Sequence, residues 1–164
     1  MTPDVRRRPT PGGPYLVVRS SERRLIADVE YGTDQTIVRK LRGKKCRNYD
    51  SFMGEIGAAL QFFYGFGENW SAVGELLREM DEWLPGDGYV FVIEHAEELF
   101  ADEPVEFNTF VRILHRVGDW WAQPIVEQGR FDRPARPFRV ILESADPGLM
   151  ARLEATGCDL ALWD

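Results

Sequence analysis

The chain has few of the residues that mark secreted, membrane-spanning or metal-binding proteins. Only two of its 164 residues are cysteines, Cys46 and Cys158, and no CxxC or Cys/His spacing surrounds them, so neither a disulfide framework nor a zinc site is indicated. No run of 18 apolar residues occurs, and YLVV near the start is too short for the core of a signal peptide. We therefore expect a soluble, cytoplasmic protein with reduced thiols.

Motifs that hold phosphate are also missing. The stretch GFGENW, residues 65–70, has the first two glycines of GxGxxG, but it lacks the third glycine and the GK[ST] of a P-loop. The charge of Glu68 would also oppose a phosphate at the N-terminus of the helix that follows. This stretch is therefore not predicted to bind a nucleotide.

No set of catalytic side chains is apparent. His95 and Glu98 are spaced like two metal ligands, but the sequence indicates no third ligand. Cys46 lies in the basic turn RGKKCR, which we expect to lower its pKa, yet no partner base is visible. We predict that the protein is not an enzyme and binds no metal or cofactor, and keep an enzyme built on these three residues as an alternative.

Charge is divided unevenly along the chain. The net charge is −7, but residues 1–47 hold twelve Lys and Arg against five Asp and Glu, whereas residues 68–106 hold twelve Asp and Glu and a single basic residue, Arg78. A surface of one sign attracts a partner of the opposite sign. The acidic segment thus favours a cationic partner, although an acidic face that only maintains solubility fits the same pattern.

The first third of the chain is predicted to contain a leader followed by strands. Residues 1–14 are rich in Pro, Gly and Arg and are expected to be disordered. The runs YLVVRS and RLIADVEYG are predicted to pair as a hairpin. The run TIVRKLRG, residues 36–43, alternates apolar and basic residues, as a strand with one exposed face does.

Two helices are predicted next. In NYDSFMGEIGAALQFF, with Asn48 or Asp50 as the N-cap, one helical face holds Phe52, Ile56, Ala59, Leu60 and Phe63. In the second helix Asn69 is the predicted N-cap, and the apolar face consists of Trp70, Val73, Leu76, Leu77 and Met80. The opposite face of this second helix then carries Ser71, Gly74, Glu75, Arg78 and Glu82.

The rest of the chain alternates strands and helices. GYVFVIE, residues 88–94, is typical of a strand covered on both sides, and FRVILES and CDLALWD read as further strands. Residues 104–123 are predicted to form a helix that buries Phe107, Phe110, Val111, Leu114, Val117, Trp120 and Trp121. Asp146, Pro147 and Gly157 mark the N-cap, the first residue and the end of a last helix. This alternation predicts an α/β fold, with a small, mainly parallel sheet flanked by helices in one domain over residues 15–164.

Four of these segments resemble the barstar family of ribonuclease inhibitors. They are the strand and turn VRKLRG, the helix YDSFMGEIGAAL, the loop and helix YGFGENWSAVGELL and the strand YVFVIE, in that order. The resemblance covers about residues 36–143 and is carried by Gly67, Glu68, Asn69, Leu76 and Leu77 together with the element order. Relative to the family pattern, the N-terminal hairpin and the helix and strand after residue 144 are additions.

The resemblance implies an inhibitor that plugs the active site of a small basic ribonuclease. In that family the second helix and the loop before it enter the enzyme, and an aspartate takes the place of the scissile phosphate; Glu75 stands at the matching position. Ser71 stands where the family has another acidic residue, and Gly74 replaces a tryptophan. Arg116 falls near the place of a glutamate that the later helix contributes in the family.

The partner-binding residues implied by the resemblance lie on the loop and on one helix face. The loop aromatic of the family corresponds to either Tyr64 or Phe66. The full set is Tyr64, Phe66, Glu68, Asn69, Ser71, Gly74, Glu75 and Arg78. The predicted partner is a ribonuclease or a similar cationic toxin protein, bound without a cofactor, and the oligomeric state stays open.

Two other functions stay open on the sequence alone. The Arg-rich leader and RGKKCR would suit a protein that binds nucleic acid. A barstar-like module could also bind a protein other than a ribonuclease, since Ser71 and Gly74 depart from the family pattern.

Overall fold

A computed structural model describes residues 10–20 and 35–163, which contain a five-stranded sheet. The strands are β1 (Leu16–Arg19), β2 (Thr36–Arg42), β3 (Gly88–Glu94), β4 (Phe138–Glu143) and β5 (Leu160–Trp163). Their order across the sheet is β2-β3-β4-β1-β5, and all four pairings are parallel. The predicted α/β fold with a mainly parallel sheet is confirmed, and β3 has a neighbour on each side.

The strand β1 is present where it was predicted, but its pairing differs from a hairpin. It is inserted between β4 and β5, so that Val17 lies opposite Ile141 on one side and Ala161 on the other. Because parallel strands occupy both of its edges, β1 has no edge for an antiparallel neighbour. The second run of the predicted hairpin falls within residues 21–34, outside the described residues.

The predicted leader is described only from residue 10 onward. In this part the carbonyl of Thr10 accepts a hydrogen bond from the guanidinium of Arg139 at 2.9 Å. Residues 1–9, which hold the Arg-rich segment, lie outside the described residues.

The described ranges contain four α-helices, namely α1 (Tyr49–Ala59), α2 (Trp70–Glu79), α3 (Val105–Ala122) and α4 (Pro147–Thr156). The caps follow the sequence closely. Asn48 and Ser51 form a capping box at the start of α1, and Asp146 caps α4 by accepting from the N–H of Gly148. Gly157 ends α4 with a φ of 67°. None of these helices combines the length and the apolar composition that crossing a bilayer requires.

The helices contribute to one apolar core on one face of the sheet. At its centre the rings of Phe52, Trp70, Phe100 and Phe110 contact one another, with centroids 5.0 to 6.5 Å apart. The other face of the sheet buries smaller side chains, namely Val17, Val90, Val92, Ile141 and Ala161. The strand β3 is therefore buried on both faces, as its continuous apolar run predicts.

Two residues predicted to lie in the core are exposed. Phe63 is 62% exposed because α1 ends at Ala59, before the helical face reaches it. Trp120 is 42% exposed at the margin of the buried face of α3. Its indole N–H donates to the carbonyl of Arg78 at 3.1 Å, which places the ring beside α2.

Candidate protein-binding site

Asn69 joins the loop before α2 to the N-terminus of that helix. Its Oδ1 accepts a hydrogen bond from the N–H of Ala72 at 2.9 Å, and its Nδ2 donates to the carbonyl of Gly67 at 2.9 Å. A Cβ atom on Gly67 would lie 2.6 Å from this Nδ2, so glycine leaves room for the contact. Asn69 is therefore the N-cap of α2 as predicted, and both of its side-chain polar atoms make hydrogen bonds within the chain.

The backbone of Glu68 is held in place, whereas its side chain is exposed. Its φ of 45° lies in the left-handed region, and its carbonyl accepts a hydrogen bond from the hydroxyl of Tyr49 at 3.0 Å. The ring of Tyr49 meets the ring of Trp70 edge-on, with centroids 5.9 Å apart. The carboxylate of Glu68 thus lies in solvent on a constrained loop.

The two aromatic residues of the loop have different environments. Tyr64 is fully exposed, with a relative accessibility of 105%. Phe66 is half-buried: its ring meets Phe62 edge to face at 5.1 Å and covers Gly57, where a Cβ would lie 2.9 Å from Phe66 Cε1. Tyr64 is therefore free to contact a partner, whereas Phe66 supports the loop from inside.

The helix α2 presents one polar face to solvent. Val73, Leu76 and Leu77 are buried as predicted. On the opposite side lies what we call the α2 outer face, which consists of Ser71, Gly74, Glu75 and Arg78. Ser71, Glu75 and Arg78 are exposed and Gly74 is half-buried, so the structure brings these four predicted residues together on one helix surface.

Exposed acid without a partner is concentrated around α2. Within the acidic segment, several carboxylates are engaged: Glu98 and Asp102 pair with Arg47, and Asp81 lies 3.4 Å from Arg136. The exposed carboxylates of this segment that contact no hydrogen-bond donor or cation within residues 10–20 and 35–163 belong to Glu68, Glu75, Glu79 and Glu82. The unpaired exposed carboxylates of the segment therefore lie on α2 and in the turns directly before and after it.

The helix α3 lies beside α2 and runs in the same direction. Near the start of both helices, the indole N–H of Trp70 donates to Glu106 Oε2 at 2.7 Å. About two turns later on α2 and four turns later on α3, the indole N–H of Trp121 donates to the carbonyl of Leu77 at 3.0 Å. The hydrogen bond from Trp120 to the carbonyl of Arg78 lies next to it. These hydrogen bonds at both ends fix α2 against α3 and orient the α2 outer face.

The missing side chain of Gly74 leaves a small space on α2 beside Ile113 of α3, which we call the α2–α3 notch. A Cβ atom on Gly74 would meet only one side-chain atom, Ile113 Cγ2, at 3.9 Å, which is ordinary van der Waals contact. The fold of the chain thus leaves space at this helical glycine. Farther along α3, Arg116 is exposed, and Trp120 lies against Arg78. Ile113 and Trp120 border the α2 outer face, and the sequence did not predict this. The one indication in the sequence was Gly74 itself, because a glycine inside a helix often marks a close neighbour.

The alternative catalytic residues occupy structural positions. Cys46 is fully buried, and burial, aided by the charge of Glu55, raises its pKa to about 12. The predicted lowering of this pKa was wrong because desolvation outweighs the nearby charge of Arg42. Glu98 is paired with Arg47, and His95 Nδ1 lies 3.4 Å from Glu97. No cluster of three or more His, Cys, Asp or Glu side chains suited to a metal occurs in the described part of the chain.

The basic turn RGKKCR is partly neutralised. Arg42 makes a bidentate pair with Glu55, with both guanidinium nitrogens 2.9 Å from carboxylate oxygens. Arg47 pairs with Asp102 at 2.7 Å and also with Glu98. The cations of this turn that stay exposed without an ion pair are Lys44 and Lys45.

Comparison with known proteins identifies the family of the chain. No curated protein matches the chain. A protein-family model described as Barstar (barnase inhibitor) matches residues 36–143, which include α1, the loop, α2 and α3. Since this match spans well over half of the chain, the protein belongs to the barstar family.

Proposed function

We propose that the protein inhibits a small basic ribonuclease by inserting the α2 outer face and the preceding loop into the active site of the enzyme. Membership of a family described by barnase inhibition supports this class of partner. The observation that carries the proposal is the exposed carboxylate of Glu75, which has no hydrogen-bond or ion-pair partner among the described residues.

Glu75 has the chemistry of a phosphate substitute. A ribonuclease holds the scissile phosphate with cationic side chains, and a carboxylate presented on a helix offers the same acceptor oxygens. Each charge-assisted hydrogen bond made in such a site contributes about 1.5 to 3 kcal/mol. Because no bond between Glu75 and a described residue must break first, this contribution is not reduced by competition from that part of the chain.

The surface is prepared for binding by contacts inside the chain. Asn69 caps α2, Tyr49 holds the backbone of Glu68, and Phe66 packs on Gly57. Hydrogen bonds from Trp70 and Trp121 hold α2 against α3. A surface that is already ordered loses little conformational entropy on association, which favours tight binding.

The carboxylates around α2 would also guide the encounter. Glu68, Glu75, Glu79 and Glu82 lie on or beside one helix of a protein whose net charge is −7. Such a field raises the association rate with a cationic enzyme, and salt weakens the effect. Inhibition is then steric and electrostatic, and it requires no cofactor.

An inhibitor of this kind protects the cell that makes it. We propose that it acts in the cytoplasm as an immunity protein against a secreted or contact-delivered ribonuclease. The nuclease gene would then be expected to lie beside the gene for this chain.

The test begins with the partner. Proteins retained by the immobilised chain from lysate and culture medium of the source cells are eluted and assayed for cleavage of single-stranded RNA. We expect a small ribonuclease whose activity falls to background when one equivalent of the chain is added back, with inorganic phosphate competing for binding. Recovery of partners without ribonuclease activity would overturn the proposed enzyme class and favour a module for another protein.

Binding to nucleic acid remains the second candidate, because Lys44 and Lys45 are exposed beside β2. A gel-shift assay with RNA at low salt separates it from inhibition. A shift that disappears when residues 1–14 are deleted would favour nucleic-acid binding, and the absence of any shift would exclude this role at that salt concentration.

A further inference from the structure

The α2–α3 notch is flanked by arginines as well as by acid. Arg78 lies on α2 one turn after Gly74 and Glu75, and Arg116 lies on α3 one turn after Ile113. Gly74 faces Ile113 across the notch, and Trp120 is hydrogen-bonded to the carbonyl of Arg78. The two arginines therefore belong to the same surface as Glu75, one on each helix.

Both guanidinium groups are exposed, and no partner for either lies within residues 10–20 and 35–163. Neither Arg78 nor Arg116 makes a side-chain hydrogen bond or ion pair with any residue in the described ranges, although Glu75 and Glu79 flank Arg78 on α2 and Glu82 follows in the next turn. Other arginines near acidic side chains do pair, as Arg42 does with Glu55 and Arg47 does with Asp102. As far as the described residues go, the charge of these two guanidinium groups is therefore available to a partner.

The arginines conflict with a uniformly cationic partner. Docking a surface of like charge against Arg78 and Arg116 would place unpaired cations in contact and would weaken the complex. A carboxylate at that place would instead form charge-assisted, bidentate bonds with a guanidinium. Selectivity follows from both effects, because the same arginines attract one class of partner and repel the other.

We propose that Arg78 and Arg116 determine specificity: they select a ribonuclease whose active-site rim carries a carboxylate beside the cationic phosphate site, and they reject ribonucleases with a cationic rim throughout. This inference rests on the proposed function, since it concerns the partner of the same surface. Glu75 meets the cationic site, a partner side chain enters the notch over Gly74, and the carboxylate of the rim reaches the two arginines.

Barnase, used in a catalytically inactive form, is the probe for this test. The Kd of the full chain for barnase is measured by calorimetry at low salt for the wild type, for Arg78→Glu/Arg116→Glu and for a control of equal charge change, Lys44→Glu/Arg112→Glu. Arg112 lies on α3 like Arg116 but lines a cleft shared with residues 155–159, away from α2. We expect the first double variant to bind at least about tenfold more tightly than the wild type and the control to change by less than about threefold.

Two results would overturn the inference. One is an equal gain in both double variants, which would reflect net charge alone. The other combines two observations. Arg78→Glu/Arg116→Glu binds barnase more weakly than the wild type or not at all, and the milder variant Arg78→Gln/Arg116→Gln does not bind barnase more tightly than the wild type. Circular dichroism and thermal unfolding of each variant check that the fold is retained.

A third substitution separates this inference from the proposed function. Glu75→Gln is added to Arg78→Glu/Arg116→Glu and should remove most of the gained affinity for barnase. If reversal of the arginines tightens binding but Glu75→Gln has no effect, the specificity role stands and the assigned role of Glu75 fails. If the arginines have no effect while the ribonuclease from the source cells is still inhibited, the proposed function stands without them.

Discussion

The ring of Phe66 lies directly on Gly57, so that a Cβ atom added to this glycine would be 2.9 Å from Phe66 Cε1. This contact ties the loop before α2 to the last turn of α1. It also explains a glycine in a helix interior, which would otherwise cost about 1 kcal/mol relative to alanine. The neighbouring Gly54 has no atom within 4 Å of a Cβ position and serves as its natural control.

Substitution by alanine should change the free energy of unfolding differently at these two glycines. Gly54→Ala is expected to raise the free energy of unfolding by about 0.5 to 1 kcal/mol, because the helix gains propensity and nothing is displaced. Gly57→Ala should give no such gain, since the ring of Phe66 must move. Urea unfolding of both variants measures the difference; an equal gain at both positions would show that Phe66 does not constrain Gly57.

The two loop aromatics should separate binding from stability. Tyr64→Ala is expected to leave the free energy of unfolding within about 0.5 kcal/mol of the wild type, because the side chain is fully exposed, while weakening the complex. Phe66→Ala should lower the free energy of unfolding by about 1 to 3 kcal/mol, because it removes a half-buried ring. Unfolding and binding measured on the same samples decide this, and a large loss of stability in Tyr64→Ala would contradict it.

Substitution at Gly74 should stabilise the free protein and weaken its complex. The chain has room for a methyl group there, so Gly74→Ala is expected to gain up to about 1 kcal/mol in unfolding free energy. A partner side chain that fills the α2–α3 notch would meet the methyl group, with a loss of affinity of about tenfold. Gly54→Ala is the control that stabilises without affecting binding. Unchanged affinity in Gly74→Ala would mean that the notch stays empty in the complex.

Stability should fall at alkaline pH. Burial raises the pKa of Cys46, Tyr15 and Tyr89 to about 12, and the hydrogen bond from Tyr15 to Asp119 adds to the shift at Tyr15. The unfolded chain releases these protons near pH 8.5 for the thiol and near pH 10 for the phenols, whereas the folded chain retains them. The unfolded state therefore binds fewer protons in this range, and the free energy of unfolding falls from about pH 8.5 up to about pH 12.

Urea titrations between pH 7 and pH 11 test this dependence. Cys46→Ala should flatten the slope near pH 9, and Tyr89→Phe should flatten it above about pH 10. A free energy of unfolding that is the same at pH 7 and pH 10.5 would contradict the assigned burial of these groups.

Local patterns in the sequence were enough to predict the scaffold of the site. The cap at Asn69, the buried face of α2 and the inner strand β3 follow from residue type and spacing, which act over a few positions. The helical period also placed Ser71, Gly74, Glu75 and Arg78 on one surface. Each of these predictions depends only on residues within one helix or strand or at its ends.

Contacts between distant segments could not be predicted in this way. A short strand with three apolar residues, such as LVVR, fits many buried positions in a sheet, so its place between β4 and β5 depends on partners more than a hundred residues away. Its Arg19 is buried against Glu143, its register partner on β4. The exposure of Trp120 likewise depends on where α2 lies against α3, and the pKa of Cys46 depends on burial that a basic sequence neighbourhood does not reveal.

In the proposed complex, Glu75 takes the place of phosphate in the active site of a ribonuclease. The most direct test of this role is the inhibition constant of the ribonuclease captured from the source cells, measured with wild type, Glu75→Gln and the control Glu154→Gln, an exposed glutamate on α4. We predict that Glu75→Gln inhibits at least about 30-fold less well, since a desolvated charge contributes 2 kcal/mol or more, and that Glu154→Gln matches the wild type. Equal inhibition by Glu75→Gln and wild type would contradict the account.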